Sequence, residues 1–202
     1  MSLSASDKAI RKGRITASEA GDLLGRSPYC KADEAIEKWV ARQTEDPPTF
    51  APMDRGHRYE PIIIDAYLEK VGDLHGAVCC QKCPTLVHPE YPWLAATFDR
   101  LLYLDGVPDR VIEAKFVGSE KARKNWADGV PDYVVTQIIV QLAVAHARYG
   151  VTRDDVIADL LGNTWLGDSR WTLWRNAELE REIVSDLERI YRESLLPRLE
   201  KP

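Results

Sequence analysis

A chain of 202 residues suits one domain, and 45% hydrophobic residues give it ample core-forming material. No apolar run approaches the ~18 residues of a membrane span. "MSLSASDKAIRKGR" at the N-terminus has no apolar signal segment, so a cytoplasmic protein is expected. The net charge of −5 argues against a protein that coats duplex nucleic acid non-specifically. It leaves room for a focused channel, because basic residues cluster in "KAIRKGR" (Lys8 to Arg14) and "SEKARKN" (Ser119 to Asn125).

Thr16 and Glu19 form a capping-box pattern, which predicts a helix from there to about Gly25. Asp33 opens a second helix through about Gln43, and "TEDPPTFAP" reads as loop. A third helix is expected from about Met53 to Val71, with Ile63, Ile64, Tyr67 and Val71 at helical spacing. After Gly72 the pattern becomes strand-like. "GAVCCQKC" and "PTLVHPE" read as short strands, "LAATFDRLLYL" and "RVIEAKF" as longer ones. Helices follow at about Ser119 to Asp128 and at Asp132 to Tyr149. "DDVIADLLGN" and "RWTLWRN" form another strand pair. An amphipathic helix spans Ala177 to about Leu196, with Ile183, Leu187, Ile190, Tyr191 and Leu195 as its stripe. This order gives an α/β (α+β) fold, with a central mixed sheet flanked by helices and no internal boundary across 1–202.

Cys30, Cys79, Cys80 and Cys83 are expected to be free thiols. Cys80-Gln-Lys-Cys83 matches C-x-x-C but has no second pair. Cys30 and His75 would have to join it through the fold, so cysteines beside a strand are the favoured reading.

The stretch "TFDRLLYLDGVPDRVIEAKF" (Thr97 to Phe116) carries the most chemistry. Centring a hairpin turn near Gly106 sets Asp99 opposite Glu113 and Thr97 opposite Lys115. Directly opposed residues have Cβ atoms about 4.5–5.5 Å apart. Alternation puts Glu113, Lys115 and Val111 on one face and Ile112 and Ala114 on the other. Both faces are partly apolar, as in a sheet covered on both sides. Two carboxylates buried there repel unless a cation lies between them, and oxygen-rich sites suit magnesium or manganese. The hairpin by itself also allows a solvated face, with Glu113–Lys115 and Asp99–Arg100 exposed to water.

"RKGRITASEAGDLLGRSPY", "GHRYEP", "ATFDR" with "IEAK", and "WADGVPDYVVTQIIVQ" occur in this order. Together they resemble the lambda exonuclease and YqaJ family of phage-type recombination exonucleases, within the restriction-endonuclease-like PD-(D/E)xK fold. The resemblance runs from about Arg11 to Gln141. It implies that Asp99, Glu113 and the backbone carbonyl of Ala114 hold the metal. Glu60 completes the acidic site, Lys115 is catalytic, and Gln137 lies on the following helix. It also implies that Arg11, Ser18 and Thr97 hold a 5′-phosphate. Three positions depart from the pattern: Phe98 stands for the usual proline, Arg100 for glycine and Thr97 for serine.

The activity so implied is a Mg2+-dependent 5′→3′ exonuclease on double-stranded DNA ends. It would use two ions, with Mn2+ substituting, release 5′-mononucleotides and leave a 3′ overhang. A ring-shaped homotrimer and a single-strand annealing partner are expected with it. Alternatives are a restriction-like or structure-specific endonuclease with the same metal core, and a non-catalytic DNA-end-binding module. An iron–sulfur nuclease is disfavoured because no cysteine follows Cys83. Single residues also have plainer readings. Glu60 could be an exposed first-turn residue favoured by the helix dipole. Ser18 could be a cap and Arg11 solvated. Tyr133, Gln137 and Gln141 share one helix face that is either functional or polar surface. The tryptophans of Trp165 to Trp174 are assigned to core or subunit interface, and His57 is given no role.

Overall fold

Ser4 starts the first helix, α1 (Ala5–Arg11): its hydroxyl accepts from Asp7 N–H at 3.1 Å, and Asp7 accepts from Ser4 N–H at 3.2 Å. This computed structural model describes residues 4–45, 51–75, 78–159 and 168–199. A two-residue strand β1 (Ile15–Thr16) follows, then α2 (Ala17–Leu23), α3 (Ala32–Ala41) and α4 (Ala51–His75). Neither α1 nor β1 shows an apolar period long enough to announce it in the sequence. Polar caps and pairing with distant residues define them instead.

The next elements are β2 (Val78–Gln81), β3 (Leu86–Val87), β4 (Leu94–Ala96), β5 (Arg100–Leu104), β6 (Val107–Phe116), α5 (Glu120–Lys124) and α6 (Asp132–Tyr149). The last are β7 (Arg153–Asp159), β8 (Asp168–Trp174) and α7 (Ala177–Ile190). A π turn (Tyr191–Leu195) leads from α7 into α8 (Leu196–Leu199). Five strands form a mixed sheet in the order β2-β5-β6-β7-β8. Only the β6–β7 pair in it is parallel. A smaller sheet, β1-β4-β3, pairs β1 with β4 in parallel.

"LAATFDRLLYL" is not the single strand expected. It divides into β4 and β5, which belong to different sheets, and Thr97 to Asp99 make the bend between them. Side chains replace ladder partners there. Gln141 Nε2 donates to Thr97 O at 3.2 Å, and Asp99 accepts the Ala114 N–H at 2.9 Å. Phe98, buried between them, anchors the bend in the core.

The β5–β6 hairpin turns through two residues, Asp105 and Gly106, both with positive φ (51° and 79°). This is the twist-matched type I′ geometry that Asp-Gly favours. Arg100 pairs with Ile112, which keeps the expected phase and brings Asp99 beside Glu113. A bulge between Leu102 and Tyr103 shifts only the turn end of the ladder.

Both faces of the sheet are covered, as the alternation predicts. On one face, Ile63, Ile64 and Tyr67 of α4 cluster with Leu102, Ile112, Ala114 and Ile157. On the other, Val111, Val156 and Ala158 join Val140 and Val144 of α6 and Ile183 and Leu187 of α7. Each fully buried Ile, Leu or Val stabilises the fold by about 1.5–3 kcal/mol relative to exposure. Gly21 is required where α2 meets α6, because a Cβ there would stand 2.8 Å from Tyr133 Cβ and 2.8 Å from its carbonyl oxygen.

Candidate active site

Glu113 is only 4% exposed, yet it is a carboxylate and needs polar partners. Strand alternation turns it toward α6, and that helix answers with two carboxamides one turn apart. Gln137 Nε2 donates to Glu113 Oε1 at 2.7 Å, and Gln141 Nε2 donates to Glu113 Oε2 at 2.7 Å. Lys115, on the same face, sets its ammonium 2.6 Å from Glu113 Oε1 and 3.2 Å from Gln137 Oε1. The exposed ion pair that the hairpin allowed is thus replaced by a buried carboxylate with every oxygen engaged.

Asp99 joins this group from the bend. Burial, then the charges of Glu113 and Glu60, push its carboxyl up to about 7, against the opposing Ala114 N–H and Lys115. Burial opposes the charge on Lys115, but Glu113, Asp99 and Glu60 outweigh it and raise its pKa. Glu60 lies in the third turn of α4, half-buried, which removes the first-turn dipole reading. Burial and Glu113 raise its pKa, and Lys115 opposes them. Tyr59 stacks on Phe116 with ring centroids 4.6 Å apart, holding this part of α4 against the end of β6. Gly56 leaves room for the Glu60 carboxylate, whose Oε1 would stand 3.3 Å from a Cβ there.

Asp154 in β7 pairs with Val111, so it lies on the Glu113 face of the sheet. It is fully buried, and neither carboxylate oxygen has a hydrogen-bond partner among the described residues. Burial, then Glu113, Asp155 and Asp99, push its carboxyl well above the carboxylate range. Its neighbour Asp155 faces the opposite way. There it accepts from the Tyr67 hydroxyl, from Arg110 Nη1 at 2.8 Å and from Thr172 Oγ1 at 2.7 Å. That network is structural.

A second cluster forms around Arg11. Its Nη2 donates to Thr16 Oγ1 at 3.2 Å and to Ser18 Oγ at 3.4 Å. Arg42, the C-cap of α3, braces the segment, donating to Arg11 O at 2.9 Å and Arg14 O at 2.6 Å while pairing with Glu19. Ser18 is exposed in the first turn of α2, and Thr16, not Ser18, is the N-cap. Thr97 Oγ1 shares a 2.8 Å hydrogen bond with Thr85 Oγ1 and has none to Arg11 or Ser18 among the described residues. Parallel pairing of Thr16 with Ala95 nonetheless brings Ser18 and Thr97, each two residues on, to the same end of the small sheet.

The oxygen donors fit a divalent cation of the magnesium type: two adjacent carboxylates crowded enough to raise a pKa, with Glu60 within electrostatic reach. Among the described residues, no three His, Cys, Asp or Glu side chains converge as a ready cage, and the Lys115 ammonium pairs with Glu113. Cys30 and Cys83 are buried thiols, and no cysteine among the described residues takes part in a metal cluster. The side chains of Cys79 and His75 lie outside the described residues. Trp171 packs on Trp126 with centroids 5.4 Å apart, as a core role requires. Trp174 is 61% exposed beneath the Arg153 guanidinium, and Trp165 lies outside the described residues.

The YqaJ-like viral recombinase domain model matches residues 8–148. This chain belongs to that family. Among solved structures, an alkaline exonuclease from Laribacter hongkongensis aligns with a TM-score of 0.76 at 20% identity, over 96% of this chain and 94% of that one. The same enzyme in complex with dAMP aligns equally well, at 19% identity. A phage-related exonuclease from Haemophilus somnus 129PT aligns with a TM-score of 0.54 at 12% identity, over 91% and 96% of the two chains. No curated protein matches. The family is that of the YqaJ-like viral recombinase domains, and the α/β fold, a mixed sheet flanked by helices, is as expected and is shared with the alkaline exonuclease. No helix among the described residues is long and apolar enough to cross a membrane.

Sequence reasoning singled out the acidic residues and the lysine but missed Thr16, Arg42, Thr85 and Asp154 as parts of the two clusters. Gln141 was visible only as a neighbour of Gln137 on one helix face. Which glutamine meets a carboxylate depends on how α6 lies across β6, and no local pattern encodes that.

Proposed function

We propose that the protein is a Mg2+-dependent exonuclease that degrades one strand of duplex DNA from a 5′ end, releasing 5′-mononucleotides and leaving a 3′ overhang. The observation that carries this reading is the Asp99–Glu113–Lys115 group, formed where the bend before β5 meets β6, with Gln137 closing it. Asp99, Glu113, the Ala114 carbonyl and Glu60 would hold the ions, two in number, with Mn2+ able to substitute. When bound, they would neutralise the scissile phosphate and acidify the attacking water.

The raised pKa of Lys115 favours its charged form. Beside the attacked phosphorus it would either stabilise developing charge or help to activate the water. Arg11 and Ser18 supply donors for a 5′-phosphate, with Thr97 at the same end of the small sheet. A relative that binds dAMP is in keeping with a deoxynucleoside monophosphate product. A homotrimeric ring with a basic lining would reconcile DNA binding with the net charge of −5. An annealing protein is the expected partner, and action in the cytoplasm is part of the same reading.

The test is digestion of linear duplex DNA labelled separately at each end, with and without a 5′-phosphate, in Mg2+ and in EDTA. Metal-dependent loss from phosphorylated 5′ ends is expected, with Arg11→Ala abolishing the preference for phosphate. Cleavage of closed circular DNA would favour the endonuclease reading. Full activity of Lys115→Ala, or none in the wild type, would sink the catalytic assignment in favour of an end-binding module.

A further inference from the structure

Gln141 is fully buried, and it spends both hydrogens of its carboxamide on groups far away in the chain. Nε2 donates to Glu113 Oε2 at 2.7 Å, across 28 residues, and to Thr97 O at 3.2 Å, across 44. The orientation is fixed by chemistry. Flipping the amide would set its oxygen against a carboxylate and a carbonyl, both acceptors. Its own oxygen has no hydrogen-bond partner among the described residues. The fold therefore tolerates an unsatisfied buried acceptor, which is costly, to keep these two donors in place.

The two groups it joins belong to different halves of the candidate metal centre. Glu113 rides on β6. Thr97 opens the bend whose third residue is Asp99, and fixing its carbonyl fixes the path of the chain into Asp99. On the far side of Asp99, its carboxylate already takes the Ala114 N–H. Gln141 thus closes a loop: Thr97, Asp99, Ala114, Glu113 and back. Gln137 does not duplicate this, because its contacts are Glu113 and Lys115, both on β6. Gln141 thus ties the start of the bend to β6 directly, beside the Asp99–Ala114 bond at its other end.

We propose that Gln141 is a positioning residue, which holds the Asp99 bend and the Glu113 strand at the separation a divalent cation needs. The proposal rests on the metal-site reading above and adds a residue to it. Gln141→Met preserves length and removes both donors. The folded variant is expected to bind Mn2+ about tenfold more weakly by titration calorimetry, the size usual for losing a partner that orients a metal ligand. A purely structural role would lower the melting temperature and leave that affinity alone, and this result would overturn the proposal.

If Gln141→Met does not fold, the wild type decides. On titrating Mg2+ into 15N-labelled protein, the Gln141 side-chain amide signals should shift with the same midpoint as the Ala114 backbone amide. Signals that stay in place would also overturn it. Wild type that binds Mn2+ but leaves duplex ends intact would refute the exonuclease reading while these readouts still judged Gln141. Wild type that binds neither ion would remove the metal centre and the proposal together.

Discussion

The Lys115 ammonium lies 2.6 Å from Glu113 Oε1, on the same face of one strand, where a carboxylate 4% exposed needs a counter-charge. The lysine supplies in the metal-free protein the positive charge that a cation would supply in the loaded one. Lys115→Met should therefore lower stability in EDTA by about 1–3 kcal/mol, through a buried charge left half-compensated. Mg2+ should restore more of the melting temperature in the variant than it adds to wild type. Equal Mg2+ shifts in the two proteins would count against this account.

Asp99 gives a pH dependence with a definite sign. Its folded pKa of about 7 lies above the ordinary 3.8. Its contribution to stability is fully present below 3.8 and is lost as pH rises through about 7. Metal-free protein should melt lower at pH 8 than at pH 5, and Asp99→Asn should flatten part of that slope. Glu60 and Asp154, raised in the same direction, contribute with the same sign. Mn2+ affinity should rise over the same range, because the ion competes with the proton.

The α2–α6 contact is sensitive to a single methyl group. A Cβ at Gly21 would meet Tyr133 at 2.8–2.9 Å, and the nearest atoms include backbone. Gly21→Ala should cost about 1–3 kcal/mol in urea unfolding despite its better helix propensity. A stabilised variant would mean that α2 moves freely on α6.

Asp155 provides a control remote in chemistry from the metal. Asp155→Ala strands Arg110, Tyr67 and Thr172 together, and breaking such a buried pair costs about 3–5 kcal/mol. The expected outcome is a large fall in melting temperature, with Mn2+ affinity of the remaining folded protein unchanged. A matching loss of affinity would show that the two faces of the sheet are coupled.

Much of this was legible in the chain before any coordinates. The Asp-Gly turn, the two-residue alternation around Glu113, the capping box at Thr16 and the extent of α6 follow from local geometry, and each is found as read. The misreadings share one cause. "LAATFDRLLYL" alternates and branches like one strand, and only the side chains of Gln141 and Asp99 make the break at Thr97 affordable. Gln141 is 44 residues from Thr97, so no local pattern announces the break.

The sequence by itself determined which residues carry charge and hydroxyls, which face of β6 they share, and, through four ordered motifs, the family. Periodicity and turn chemistry are properties of neighbours, so they survive in a string of letters. Only the tertiary structure decided that Glu113 is held by two glutamines, that Arg11 meets Ser18 under the brace of Arg42, and that Asp154, on the Glu113 face of the sheet, has no hydrogen-bond partner among the described residues. Those relations depend on how helices cross a sheet, and side-chain packing between distant segments sets that crossing.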